Sequence, residues 1–146
     1  DRLPIEAITV MVQKEAAQRI CAEVGTRQSG AVTVSVNYYA EPEMLFGVSA
    51  GSFMPAPKVD SAVIRLNVRK EPPVKVESEK LLFNVIKAAF SQRRKTLANS
   101  LSSGLSVEKG KINELLINSG VETNARAEKL TLDDFANITN NLQEMM

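Results

Sequence analysis

Two short stretches of this chain hold the residue types that handle a planar base and a phosphate. The first runs from Phe53 to Leu66 and reads FMPAPKVDSAVIRL. Its prolines pre-order the backbone, so a large aromatic such as Phe53 can be held out of the core at little entropic cost. A ring held that way is a stacking platform for a nucleobase. The bland alternative is that Phe53 plugs the edge of the core beneath the loop. The second stretch is Gln92, Arg93, Arg94, Lys95 and Thr96. If helical, three consecutive cations spread over more than half the circumference, so they grip phosphates lying in a groove rather than on a flat patch. Lys87 extends that grip, and a solvated helix face is the alternative.

Charge distribution favours the phosphate reading. Net charge is only +1, from 18 basic and 17 acidic residues, yet residues 87–111 carry six basic side chains against Glu108 alone. A neutral chain with one concentrated basic segment fits a local polyanion contact. Much other chemistry is excluded. Histidine is absent, so neither a Ser-His-Asp nor a Cys-His nucleophile system can form, nor a histidine-ligated zinc site. The single cysteine, Cys21, leaves no internal disulfide and no cysteine cluster, and its apolar neighbours Ala17 and Ile20 assign it to the core. The longest apolar run, residues 7–12, is far too short to span a membrane, and the first residues lack the form of a signal peptide. The expectation is a cytoplasmic chain without metal or membrane partners.

At 146 residues, 44% hydrophobic and 24% charged, the chain is long enough for a real core. Ala7–Gln13 reads as a buried strand and residues 14–23 as a helix stopped by Gly25. Residues 31–39 (AVTVSVNYY) favour strand by propensity. Residues 44–48 and Ser61–Val68 are further strands, the latter with Ala62, Ile64 and Leu66 on one side. The run RKEPPVKVES, residues 69–78, has two adjacent prolines and five charges and reads as a boundary outside any packed element. Beyond it the pattern is helical throughout. Leu81/Leu82, Val85/Ile86 and Ala89/Phe90 form one stripe, a helix continues or restarts over residues 92–101, and another covers residues 107–118. Thr131 caps a last helix with Asp133 and Asp134 in its first turn. Gly25 to Gly30 has P-loop spacing but lacks the Gly-Lys-Ser/Thr that would follow.

Residues 13–26 (QKEAAQRICAEVGT), 37–66 (ending in F-x-P-x-P-K-V-D-S-A-V-I-R-L), 88–101 (with F-x-Q-R-R-K-T-L) and 124–138 (NARAEKLTLDDFANI) resemble the KsgA/Dim-type ribosomal RNA adenine dimethyltransferases. The resemblance covers nearly the whole chain. It implies an α/β region followed by an all-α region: the last strands and helices of a Rossmann-like S-adenosylmethionine methyltransferase domain over residues 1–69, a linker at 70–78, and a helical RNA-recognition domain at 79–146. It also implies an enzyme that puts two methyl groups on N6 of two adjacent adenines in the 3′-terminal hairpin of small-subunit ribosomal RNA, during ribosome biogenesis. The partner so implied is small-subunit ribosomal RNA in a pre-30S-type particle.

By the same resemblance Phe53 stacks on the target adenine, and Arg93, Arg94 and Lys95 grip RNA, with Arg19 and Arg126 as further RNA-facing cations. Gln13 and Lys14 fall at a strand's carboxyl end, where open α/β sheets bind ligands. Residues 30–39 become a helix despite their valines, and the last two strands pair antiparallel at the sheet edge. The family's glycine-rich cofactor loop, its ribose-binding acid and its N-L-P-Y-type motif have no counterpart, since Asn37-Tyr38-Tyr39-Ala40 lacks the proline. S-adenosylmethionine is therefore expected in the parent enzyme but not held by this piece, which binds RNA without catalysing. Two alternatives are a non-catalytic RNA- or ribosome-binding module, and a macrolide-resistance-type large-subunit methyltransferase, against which Asp60 and residues 92–97 argue. The missing front leads to a further expectation: residues 1–69 are poorly ordered alone or rescued by oligomerisation, while residues 70–146 fold independently.

Overall fold

Extended backbone suits β-branched side chains, and Ala7–Gln13 forms strand β1. The computed structural model describes residues 5–52, 54–55, 58–92 and 94–145. β1 passes directly into helix α1 (Lys14–Ile20), then come α2 (Ala31–Tyr39), β2 (Ala40–Val48) and β3 (Ser61–Val68). Helices α3 (Glu79–Ala89), α4 (Leu97–Leu105), α5 (Lys109–Asn118) and α6 (Leu132–Met145) follow, with short 3-10 turns at Ala50–Ser52 and Ala127–Lys129. The three strands are ordered β1-β3-β2, and β3 runs antiparallel to both neighbours. Ile64 lies opposite Val10 on one side and Met44 on the other. β1 and β2 therefore point the same way, and their carboxyl ends meet at one end of the sheet.

The antiparallel pairing of the last two strands holds at the sheet edge, which β2 forms, with β3 lying between β2 and β1. β2 also begins earlier than residue 44. Its first half carries Pro42, which an edge strand tolerates, and a bulge separates Met44 from Phe46. Residues 31–39 are helical, against valine propensity, because tertiary burial decides: Val34 and Tyr38 are buried in the core shared with the later helices. α1 stops at Ile20, well before the expected residue 23, and tight turns carry the chain to Gly25 at φ +90°. A Cβ there would be strained, and would stand 3.8 Å from the carbonyl oxygens of Lys129 and Leu130, so this loop lies on the segment that precedes α6.

Alternation along β3 is realised. Ala62 and Ile64 are buried with Ala17 of α1, and Val10, Val12, Ile20, Cys21 and Leu66 pack around them. Burial pushes the Cys21 thiol above its ordinary pKa, which keeps it protonated and a poor nucleophile at neutral pH. β1 is not the buried strand its composition predicts, because both its faces are apolar and α1 covers only one. Met11, Val63 and Phe46 align across the three strands on the opposite face, where Met11 and Phe46 are more than half exposed.

The larger core joins α3, α4, α5 and α6 through Leu82, Ile86, Leu101, Leu115, Leu116 and Phe135. α3 and α4 cross so closely that a Cβ on Gly104 would stand 2.6 Å from the Ala88 Cβ. The capping of α6 is reciprocal: the Asp134 amide donates to Thr131 Oγ1 (3.1 Å) and the Thr131 amide to Asp134 Oδ2 (3.0 Å). The proline-rich stretch expected to lie outside any packed element is instead fastened at both ends. Arg69 donates to the Asn37 carbonyl (2.9 Å) and pairs with Glu41 (3.0 Å), while Asn140 accepts from the Glu77 amide and donates to the Lys75 carbonyl. Val74, between them, is buried in the larger core, because an extended chain alternates inward apolar with outward charged residues. Tyr38, Tyr39 and Phe83 form an aromatic trio across the two halves, and the Tyr39 hydroxyl meets Glu79 (3.0 Å).

Candidate nucleic-acid interface

The shared carboxyl end of β1 and β2 opens into a cleft of about 490 Å³. Lys14 and Gln18 of α1 form one wall, and Gly47, Val48, Ser49, Asp60 and Ser61 much of the other. Open α/β sheets bind ligands at such strand ends, since the side chains of several elements converge there. Asp60 is the joint of this cleft. Its carbonyl accepts from the Lys14 amide and its carboxylate from the Ala50 amide, both at 2.9 Å. It therefore ties both ends of the 50–60 loop to the start of α1. Met54, on that loop, is 99% exposed, an apolar side chain in solvent. Phe53 lies outside the described residues.

Changing Asp60 to Ala is expected to free the loop without unfolding the chain. Amide exchange at Ala50 should quicken about tenfold, the equivalent of losing a ~1.4 kcal/mol hydrogen bond to a carboxylate, with an almost unchanged melting temperature. Unchanged exchange at Ala50 would show that the carboxylate does not hold the loop.

Lys14 lines this cleft as its position predicted, whereas Gln13 lines a neighbouring one with Glu15, Arg19 and Val32. Arg19 is half-buried and faces α2. In the second basic stretch, Gln92, Arg94 and Lys95 lie in a turn between α3 and α4 and in no helix. Gln92 organises it: its carbonyl accepts from the Lys95 amide (3.0 Å) and Ser100 Oγ (3.1 Å), and its side chain donates to Ser103 (3.3 Å). Arg94 and Lys95 are exposed, and Arg93 lies outside the described residues. The Leu97 amide donates to the Ala125 carbonyl (2.8 Å), which fastens the turn to the segment bearing exposed Arg126. The Gly25 loop lies against residues 129–131, so the stretch from Ala125 to Thr131 touches both Leu97 and that loop. Gln18, the loop-tying role of Asp60, and Arg27 escape the sequence reading. Gln18, one turn after Lys14 on the same helix, is the one that spacing alone could have found.

Among the described residues no group of acidic or cysteine side chains is placed to hold a metal, and no helix is long and apolar enough to cross a membrane.

The profile of the family described as ribosomal RNA adenine dimethylase matches residues 1–144. The chain is 42% identical over its whole length to a ribosomal RNA small subunit methyltransferase A from Alkaliphilus oremlandii, and 46% identical over 99% of its length to one from Lachnoclostridium phytofermentans. It spans about half of each, 51% and 50%. A dimethyladenosine transferase from Plasmodium falciparum superposes on 94% of this chain and 57% of its own with a TM-score of 0.76. The 23S rRNA methyltransferase ErmE does so on 94% and 55% with a TM-score of 0.61. At 22% and 24% identity these two likenesses speak for the fold, a Rossmann-like one. With the family profile covering almost every residue, the chain belongs to the ribosomal RNA adenine dimethylase family.

Proposed function

We propose that this chain carries the RNA-recognition half of an S-adenosylmethionine-dependent enzyme that dimethylates N6 of two adjacent adenines in the 3′-terminal hairpin of small-subunit ribosomal RNA. The observation that carries it is the contact of both Leu97, which closes the basic stretch, and Gly25 with the 125–131 segment that bears Arg126, in a chain of this family. Residues 70–146 supply the phosphate grip through Arg93, Arg94, Lys95 and Arg126, with Arg19 added from α1. Residues 1–69 supply the mouth of the target site, where Phe53 stacks on an extruded adenine. Such stacking returns roughly 1–3 kcal/mol of the few spent in unpairing the base.

The residues present do not fit the cofactor. β1 runs into α1 without any intervening turn, so no glycine-rich loop meets a helix N-terminus there. Methyl transfer to an aromatic amine depends heavily on in-line positioning, and this chain positions only the RNA side. In the presence of S-adenosylmethionine it is expected to bind the small-subunit hairpin, in preference to a large-subunit hairpin of equal length, and to transfer no methyl group. Methylated adenine in the product would overturn the division of labour, and preference for the large-subunit hairpin would favour the macrolide-resistance-type reading.

A further inference from the structure

We propose that the cleft lined by Glu15, Gln18, Arg19, Arg27 and Gln28 is a phosphate subsite that holds an RNA phosphodiester beside the target nucleotide. This rests on the RNA-binding reading above and adds Arg27 to it. Two arginines and two glutamines line this cleft with a single acid, Glu15, and the planar guanidinium fork matches phosphate oxygens in pairs.

Arg19 is preset for the task. A Cβ on Gly30 would stand 3.2 Å from Arg19 Nη1 and 3.4 Å from its Cδ, so the side chain lies flat across the bare glycine. Its own carbonyl accepts from Thr33 Oγ1 (2.6 Å), and Thr33 Oγ1 in turn accepts from the Gly30 amide (3.0 Å). With its backbone carbonyl bonded to Thr33 and its side chain laid along Gly30, Arg19 loses less freedom on binding than an unsupported arginine would. It also rests where α2 begins, and the first turn of α2 has no acidic residue. A cation beside the positive end of a helix is unfavourable by itself, and an anion shared by the two relieves that. Gln18 lines both this cleft and the one formed by Lys14 and Asp60. A nucleotide entering the first therefore brings a neighbouring phosphate to the second.

Arg27 is exposed, and the melting temperature of each variant, measured alongside, separates binding from folding. Hairpin binding by the whole chain should lose about 0.7–0.9 from the slope of log K against log salt in Arg27→Glu, and about 5–8-fold in affinity at 0.1 M salt, while Arg27→Lys keeps most of both. An unchanged slope in Arg27→Glu, alongside a reduced one in a charge reversal at Arg94 and Lys95, would overturn the subsite and leave the RNA reading standing. If the unsubstituted chain binds no hairpin, inorganic phosphate followed on the Gly30 and Ala31 amides decides. Saturable shifts that vanish in Arg27→Glu support a phosphate subsite and remove only its RNA source, and unmoved amides overturn it.

Discussion

With Arg94 and Lys95 both changed to Glu, affinity for the small-subunit hairpin is expected to fall about 25–60-fold at 0.1 M salt. Each phosphate contact contributes about 0.7–0.9 to the slope of log K against log salt, so losing two removes roughly 1.4–1.8, and 0.1 M lies one decade below the 1 M reference. The size of the effect follows from how firmly the turn is built. The Gln92 carbonyl, Ser100, Ser103 and the Leu97–Ala125 hydrogen bond fix its backbone without using either cation. Both side chains are exposed, so the fold should change by no more than about 0.5 kcal/mol. A variant with native melting behaviour and an undiminished slope would place RNA contact elsewhere.

Phe135→Ala is expected to cost about 3–5 kcal/mol in urea unfolding, a large share of the stability of a chain this size. Phe135 is 0% exposed, comes from α6, and stacks on Phe90 at 6.0 Å between centroids and 29° between planes. Phe90 follows α3 and leads directly into the basic turn, so the cavity opens beneath the turn. The loss should also loosen α2, whose Val34 and Tyr38 share this core. For the same reason residues 70–146 expressed alone would leave the partners of Tyr38 uncovered. A cost below about 1 kcal/mol would mean that the site collapses easily, against the packing seen here.

Much of this fold was legible in the chain because local pattern and tertiary demand agreed. Ser61–Val68 alternates and is buried on one side, and Thr131 with Asp134 caps α6 as the spacing predicts. Where they disagreed, local pattern lost. The valines of α2 favour a strand, yet Val34 and Tyr38 gain more by facing the helices. The charges and prolines of residues 69–78 read as a free linker, but periodicity is blind to one inward valine and one asparagine on α6. The basic stretch was misread as helix, since nothing local reveals that Gln92 spends its carbonyl on a turn and on Ser100. Arg27 was invisible for a different reason: its cleft exists only where α1 and the loop before α2 come together.

The central claim is that this half-length chain recognises RNA through its own basic turn. The most direct test is the salt dependence of its binding to the small-subunit 3′-terminal hairpin, with and without Arg93, Arg94 and Lys95 changed to Glu. The expected slope of log K against log salt is steeper than about −2, from three or more phosphate contacts, and collapses in the substituted chain. Weak binding indifferent to both salt and substitution would contradict it.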